Sequence, residues 1–205
     1  MRFFLFSILF SSITYSQISA VTENGDEVTL FDDKSWAYKN EKLSDKLSIS
    51  SSYPIYYYDI NSTFLIKSNK IKIGAQIDPK KWSFNKSLSD DSEYEFELKN
   101  EELFGMMLNE KIEMPLENLK DTAFYNFNFA SEDARIVNQE LRIVNDLTVL
   151  MLHMEGTIDG FKIFYYGYYF SSKNGTTQFV TYSTANLFEY YKADIEKFLN
   201  GLIEI

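Results

Sequence analysis

The side chains able to perform nucleophilic or metal chemistry are few in this chain, which has a single histidine, His153, and no cysteine. His153 and Glu155 stand two positions apart, the spacing that puts both side chains on one face of a β-strand. A histidine and a carboxylate could begin a zinc site, with Glu140 as the nearest recruit, but zinc normally takes three or four protein ligands. A sheet histidine with satisfied contacts is the simpler interpretation, so we predict no metal and no cofactor.

No motif in the sequence places a nucleophile beside a base. A serine triad would have to use His153, and the G-x-S-x-G turn is absent. Glu140 and Glu155 are candidates for a pair of catalytic carboxylates only if the strands bring them together. Neither a glycine-rich phosphate loop nor a dinucleotide-binding fingerprint occurs. We therefore predict that the protein is not an enzyme, with a hydrolase as the least favoured alternative.

Ring stacking is the other chemistry that the sequence suggests. Residues 161–170, FKIFYYGYYF, hold seven aromatic rings in ten positions. Such rings can stack on a ligand or a protein partner, but they also fill the cores of sheets. The strands that carry these rings decide which of them lie together.

Four antiparallel strands are predicted between residues 135 and 184, at 135–144, 147–156, 161–172 and 176–184. The turns between them are the pairs Asn145-Asp146, Asp159-Gly160 and Asn174-Gly175, the last being the strongest type I′ signal. Two-residue turns fix the register, so that paired residue numbers sum to 291, 319 and 349. The last hairpin then sets Phe170 opposite Phe179, and it sets Tyr182 opposite Gly167, where the ring can cover the bare glycine.

Alternation along these strands sorts the side chains onto two faces. One face is nearly all apolar and is predicted to lie under amphipathic helices; it holds Val137, Leu141, Ile143, Leu150, Leu152, Met154, Ile163, Tyr165, Tyr169, Val180 and Tyr182. The other face mixes rings with polar groups and holds the candidate ligand- or partner-binding residues Tyr166, Tyr168, Phe170, Phe179, Glu140, Arg142 and His153. Either this second face is also core, or its rings stack on a ligand that the polar groups orient.

Two helices are predicted from apolar residues spaced three and four apart. The first lies within 115–130 and buries Leu116, Leu119, Ala123, Phe127 and Ala130, with Pro115 and Glu117 suited to its first turn. The second follows Asn186, which has capping-box spacing to Glu189, and ends near Gly201. Further strands are predicted at 53–58, 63–67, 70–77, 93–99 and 103–113, and 87–93 is predicted to be a solvated loop.

The N-terminal part of the chain is predicted to consist of targeting and connecting segments. Residues 1–16 are typical of a signal peptide, with Arg2, an apolar run and small residues before the cleavage site. Residues 17–40 are predicted to form a β-hairpin appendage. It resembles a hairpin with a D-D-G-x-W pattern that follows the signal peptide of many secreted bacterial proteins, although Lys34 and Ser35 replace the usual glycine. The charged, serine-rich residues 41–52 are predicted to be a linker to a domain at 53–205.

Charge and cysteine content narrow the setting in which the protein acts. The formal net charge is −10, and an acidic surface repels phosphate backbones, so nucleic acid is not an expected partner. An exported chain without cysteine depends on its core rather than on disulfides, which points to a bacterial periplasmic or extracellular protein. No segment after the signal peptide is apolar over enough residues to form a transmembrane helix.

The run from Leu103 through GMMLNEKIEMPLENL, then RIVNDLTVLM, GFKIFYYGYYFSSKNGTTQFVTYST and EKFLNGL, resembles the PsbP-like domain of secreted bacterial proteins. Trp82 and Phe84 resemble the aromatic start of that domain, so the resemblance covers about residues 70–202. It implies an α+β fold, an antiparallel sheet with helices on its faces. It also implies a non-catalytic accessory role with an unknown protein partner. A small-molecule or lipid-binding protein that uses the aromatic sheet face is the alternative.

Overall fold

The computed structural model of the protein describes residues 18–21, 27–30, 36–38, 53–88 and 92–205. These residues belong to two compact units, one within residues 9–51 and the other comprising 53–205. The predicted signal peptide, residues 1–16, and the linker, 41–52, lie outside the described residues.

The N-terminal unit is a three-stranded antiparallel sheet. Its strands are β1 (Ile18–Val21), β2 (Glu27–Leu30) and β3 (Trp36–Tyr38), in the order β1-β2-β3. The register pairs Ile18 with Leu30 and Leu30 with Trp36. One hairpin was predicted between residues 17 and 40, and three antiparallel strands are described there.

The larger unit is built on an eight-stranded sheet that is antiparallel except at one edge. Its strands are β4 (Ile55–Tyr56), β7 (Trp82–Lys86), β8 (Tyr94–Leu98), β9 (Phe104–Glu110), β10 (Arg135–Val144), β11 (Leu147–Ile158), β12 (Phe161–Ser172) and β13 (Gly175–Thr184). The spatial order is β4-β10-β11-β12-β13-β9-β8-β7, and β4 pairs parallel with β10. The predicted strand at 53–58 is reduced to two residues.

A second sheet and two helices complete this unit. The sheet has the order β14-β6-β5, formed by β5 (Phe64–Lys67), β6 (Ile73–Ile77) and β14 (Leu202–Glu204). The helices are α1 (Leu116–Ala130) and α2 (Phe188–Leu199), and a 3₁₀ turn, Ala185–Leu187, precedes α2. The predicted capping box is wrong: the N-cap of α2 is Leu187, without a side-chain hydrogen bond, because the 3₁₀ turn takes up Asn186.

The predicted register is confirmed for two of the three hairpins and wrong for the third. Val144 pairs with Leu147 and Ile158 with Phe161, as the sums 291 and 319 require. In the third hairpin Ser172 pairs with Gly175, so Lys173 and Asn174 form the turn and the sum is 347.

Gly167 therefore lies opposite Val180 and not opposite Tyr182, and Phe179 lies opposite Tyr168 and not opposite Phe170. A Cβ on Gly167 would come within 2.7 Å of Val180 Cγ2, so the glycine is needed for close approach of this side chain. The slip of two residues leaves every side chain of β13 on its predicted face, because side chains alternate with a period of two.

The two helices cover opposite faces of the sheet, whereas both were expected on one. α1 packs its buried residues Leu119, Ala123 and Phe127 on the apolar face, which also includes Leu150, Leu152, Met154, Tyr165, Tyr169 and Val180. We call this cluster the α1-side core. A bulge between Ile136 and Asn138 leaves Val137 nearly half exposed, so that Ile136 packs on this core instead.

Two polar side chains tie distant segments of the larger unit together. Asn145, in the β10–β11 turn with φ +46°, donates through Nδ2 to the carbonyls of Asn200 (2.7 Å) and Leu202 (2.8 Å) and accepts from the backbone N–H of Tyr58. The carboxylate of Glu93 accepts hydrogen bonds from four donors: the hydroxyl of Ser68, the backbone and side-chain amides of Asn69, and Nδ2 of Asn109.

Candidate functional site

The candidate binding rings lie on the predicted face of the sheet, and α2 covers that face. Tyr166, Tyr168, Phe170 and Phe179 are between 0% and 8% exposed. They pack in one cluster with the buried face of α2, formed by Phe188, Tyr191, Ile195, Phe198 and Leu199, and with residues of the second sheet. We call this cluster the α2-side core. These four rings therefore belong to the core, and in the structure they do not form an open surface for a ligand.

Ring contacts at the C-terminal end of α2 show how closely it packs. Phe198 stacks on Trp82 with centroids 3.9 Å apart and meets Phe179 at 4.6 Å and Phe96 at 5.1 Å. Offset and edge-to-face pairs at these distances stabilise a core beyond the area that they bury. Trp82, which the sequence marked as an aromatic start, is thus a partner of α2.

Arg142 is the centre of a polar cluster at the rim of the α2-side core. Its Nε donates to Glu140 Oε2 at 2.6 Å, and its Nη1 donates to the Tyr168 hydroxyl at 3.1 Å. Its guanidinium lies 4.9 Å from the centroid of the Tyr56 ring, and Glu196 of α2 is 3.8 Å from Nη1. The structure therefore brings together three predicted site residues, Glu140, Arg142 and Tyr168.

The electrostatics of this cluster favour a permanent charge on Arg142. Burial opposes the charge, but Tyr168 and Tyr166, together with the Glu140 carboxylate, hold the pKa of Arg142 above its ordinary value. Burial raises the pKa of Tyr168, so its phenol stays protonated at neutral pH and donates to Asn200 Oδ1 at 2.8 Å. The donors and acceptors of the cluster are directed at one another, which fits a structural role in fastening β10, β12 and α2.

His153 lies beside the N-terminal end of α2, whereas Arg142 lies near its C-terminal end. Its ring stacks on Phe188 with centroids 4.2 Å apart, and Tyr166 and Asn138 are its cross-strand neighbours, as the register predicted. Its Nε2 is 3.6 Å from Glu155 Oε1, which is beyond hydrogen-bond distance. Burial lowers the pKa of His153, and the Glu155 carboxylate only partly opposes this, so the imidazole is neutral at pH 7.

The polar cluster around Arg142 and the polar residues around His153 do not form one site. Arg142 stands four positions from Asn138, the residue paired with His153, and four residues of strand span about 13 Å. Within the described residues no group of three histidine, aspartate or glutamate side chains is arranged to hold a metal ion. None of the described helices has the length and apolar character needed to cross a membrane.

A shallow cavity lies beside the start of β7. Its volume is about 40 Å³, and its lining includes Trp82, Phe198 and the ion pair between Lys81 Nζ and Asp194 Oδ1 at 2.5 Å. That volume suits one or two water molecules rather than an organic ligand. The hydrogen bond with Asp194 raises the pKa of Lys81, so Lys81 stays charged at neutral pH.

An exposed apolar strip, which the sequence did not single out, begins at the edge strand β4. It consists of Ile55, Tyr57, Tyr58 and Ile60, with exposures of 60%, 66%, 48% and 89%. Residues 53–58, YPIYYY, contain no charged side chain. The same run predicted a strand, but a lack of charge is typical of buried strands rather than exposed edges, so nothing in the sequence signalled this surface.

No family model matches the chain, and no curated protein matches it in sequence. Among solved structures, the cyanobacterial PsbP (CyanoP) of Synechocystis sp. PCC 6803 superposes with a TM-score of 0.53 at 11% identity, over 69% of this chain and 92% of that chain. The larger unit therefore has the PsbP-like fold. The α+β class and the antiparallel sheet predicted from the sequence are confirmed.

Two further solved structures are similar at a lower level. LpqN, involved in cell envelope biogenesis of Mycobacterium tuberculosis, gives a TM-score of 0.49 at 6% identity, over 68% of this chain and 88% of that chain. The protein of unknown function PA94 from Pseudomonas aeruginosa gives 0.46 at 7% identity, over 69% and 96%. At these identities the likeness concerns the fold alone.

Proposed function

We propose that this protein is an exported, non-catalytic interaction module that binds a partner protein along the outer edge of β4, which no other described strand pairs with. The observation that carries the proposal is the exposed apolar strip Ile55, Tyr57, Tyr58 and Ile60. The signal-peptide pattern of residues 1–16 supports export, and the PsbP-like fold supports an accessory role, since CyanoP shares that fold.

The backbone of β4 offers hydrogen bonds on the side away from the sheet. The carbonyls of Pro54 and Tyr56 accept from the N–H groups of Ile143 and Asn145, so these two residues face β10. Because successive residues of a strand point their backbone groups to opposite sides, Ile55 and Tyr57 present theirs at the outer edge. A partner segment in extended conformation could pair there, adding a strand to the sheet.

The chemistry of the strip indicates what kind of segment would fit. Ile55 and Tyr57 project on the same face, so the partner needs apolar side chains in alternate positions. Tyrosine is enriched at the centres of protein interfaces, where it buries a large area with few rotatable bonds. The net charge of −10 disfavours acidic partners. We therefore expect an extended, apolar segment that is neutral or basic.

Photo-crosslinking in the native cell tests this proposal. A benzophenone amino acid at position 57 is compared with one at position 129, since Phe129 on α1 is an aromatic residue that is more accessible than Tyr57, at 86% against 66%. We expect an adduct with another protein from position 57 only, with the linked peptide in an extended segment of the partner. The adduct should disappear in Ile55→Pro, which removes an outward N–H and leaves the bonds to β10 in place.

Three results would overturn the proposal. Equal adducts from positions 57 and 129 would show indiscriminate contact. An adduct of twice the mass of this chain would show self-association, and an adduct within the chain would show that another segment of the same protein covers the strip. Circular dichroism of the Ile55→Pro variant verifies that it has folded.

A further inference from the structure

The first turn of α2 is held against the sheet by a cluster of four rings. Phe188, the first residue of the helix, stacks on His153 with centroids 4.2 Å apart and planes inclined at 27°. It also meets Phe164 at 5.2 Å and Tyr166 at 5.5 Å. This end of the helix has no side-chain cap. Ring packing around His153 therefore holds Phe188 on the sheet. At the end of the same turn, Tyr191 is buried, accepts a hydrogen bond from the backbone N–H of Glu102 and donates one to the Glu101 carboxylate.

The environment of His153 accommodates a neutral imidazole and not a charged one. The residue is 6% exposed, and Nε2 is buried without a hydrogen-bond partner among the described residues. The nearest acceptor, Glu155 Oε1, is 3.6 Å away, and the other oxygen of that carboxylate accepts from Arg135 Nη2 at 2.7 Å. An imidazolium needs an acceptor for each N–H, and leaving a buried charge unpaired is costly.

Charges on every neighbouring element act on this ring. The Glu155 and Glu189 carboxylates attract a proton to it, and the cations Lys192 and Arg135 repel one. Asn138 of β10 and the phenol of Tyr166 face it without charge. In addition, Phe188 is at the N-terminus of α2, where the helix dipole is positive. A cation stacked on this residue lies at the unfavourable end of the helix.

We propose that His153 is an acid-sensitive switch, and that its protonation separates it from Phe188 and releases residues 188–190, ahead of the Tyr191 anchor, from the sheet. The far end of the helix stays in place, because Phe198 is packed between Trp82 and Phe179 and Asn200 accepts from Tyr168. Release of the start of α2 therefore exposes Phe164 and Tyr166, whereas the rings beneath Phe198 stay buried. The proposal for His153 depends on contacts that are separate from those at the β4 edge.

Nuclear magnetic resonance tests the switch directly, because the single histidine gives one unambiguous imidazole signal. The Cε1–H shift of His153 is followed from pH 8 to pH 4, together with hydrogen exchange of the α2 amides corrected for the intrinsic effect of pH. We expect the amides of residues 192–194, which donate to the carbonyls of residues 188–190, to lose protection at least tenfold as His153 titrates, with coincident midpoints. The amides of residues 195–199 should keep their protection.

His153→Phe is the matched variant, since phenylalanine keeps a ring on Phe188 and cannot gain a proton. In this variant the amides of residues 192–194 should show no pH-dependent loss of protection. The same loss in this variant would overturn the proposal. So would a wild-type histidine that titrates without any change in α2, and this second comparison needs no variant to fold.

Discussion

Replacing Phe198 by alanine measures how much the packing of α2 on the sheet contributes to the stability of the fold. Phe198 is 2% exposed and contacts Trp82, Phe179 and Phe96 through its ring. Replacing a buried phenylalanine by alanine typically costs about 3–5 kcal/mol, because apolar contact is lost and a cavity remains. For a chain of this size, each kcal/mol lowers Tm by about 2–4 °C, so Phe198→Ala should lower Tm by roughly 6–20 °C.

Two companion variants separate the contributions to this cost. Phe198→Leu keeps most of the apolar volume and loses the ring pairs, so we expect a loss of about 1–2 kcal/mol. Tyr190→Ala lies on the same helix at a position that is 70% exposed, and it should change stability by no more than about 0.5 kcal/mol. Both variants keep the helix propensity of α2 comparable.

Urea unfolding followed by far-ultraviolet circular dichroism gives the free energies of unfolding, and an unchanged slope with urea shows that the unfolding transition is the same. A loss below about 1 kcal/mol for Phe198→Ala would refute the reasoning. So would an equal loss for Tyr190→Ala. Either result would mean that α2 is a loose cover and that the rings beneath it form an accessible surface.

Three further predictions concern the sheet and its turns. Gly167→Ala should cost about 1–3 kcal/mol in urea unfolding, because the new Cβ would lie 2.7 Å from Val180 Cγ2; a neutral effect would contradict the close approach. Burial opposes ionisation of Glu93, but its hydrogen bonds lower the pKa below the ordinary value. Its carboxylate therefore stabilises the fold above the unfolded-state pKa, and this contribution is lost as pH falls. The Tm difference between wild type and Glu93→Gln should thus be larger at pH 7 than at pH 3, and a constant difference would exclude this role. Asn145→Ala should destabilise more than Asn145→Gly, since both lose the hydrogen bonds to the C-terminal segment but only alanine is strained at φ +46°; equal Tm values would show that the strain is negligible.

The sequence predicted the faces of the sheet more reliably than it predicted what covers them. Local turn chemistry fixed the first two hairpins, because Asn145-Asp146 and Asp159-Gly160 adopt left-handed conformations that suit two-residue turns. In the third hairpin the Asn174-Gly175 pair misled, since Gly175 is the first residue of β13 and pairs across to Ser172. Because side chains alternate with a period of two, this two-residue error in register did not change the face to which each residue of β13 was assigned.

The positions of the helices could not be predicted by the same reasoning. Two amphipathic helices and a sheet with one clearly apolar face suggest that both helices lie on that face. The second face carries Arg142 and His153 among its rings, and this mixture left open whether the face is core or binds a ligand. In the structure the charge of Arg142 is paired with the Glu140 carboxylate and its Nη1 donates to the Tyr168 hydroxyl, and His153 is neutral and stacked, so both fit beneath or beside α2. These pairings depend on contacts far apart in the chain.

Because α2 and β14 follow all strands of the eight-stranded sheet in the sequence, they are made after the sheet face that they cover. The aromatic face of the sheet is complete once residue 184 has been made, but the helix that covers it and the strand that borders β6 follow afterwards. Leu202, fully buried in β14, is one of the last residues to join the α2-side core. During synthesis this face therefore remains a hydrophobic surface until residues 188–204 have been made and have packed on it.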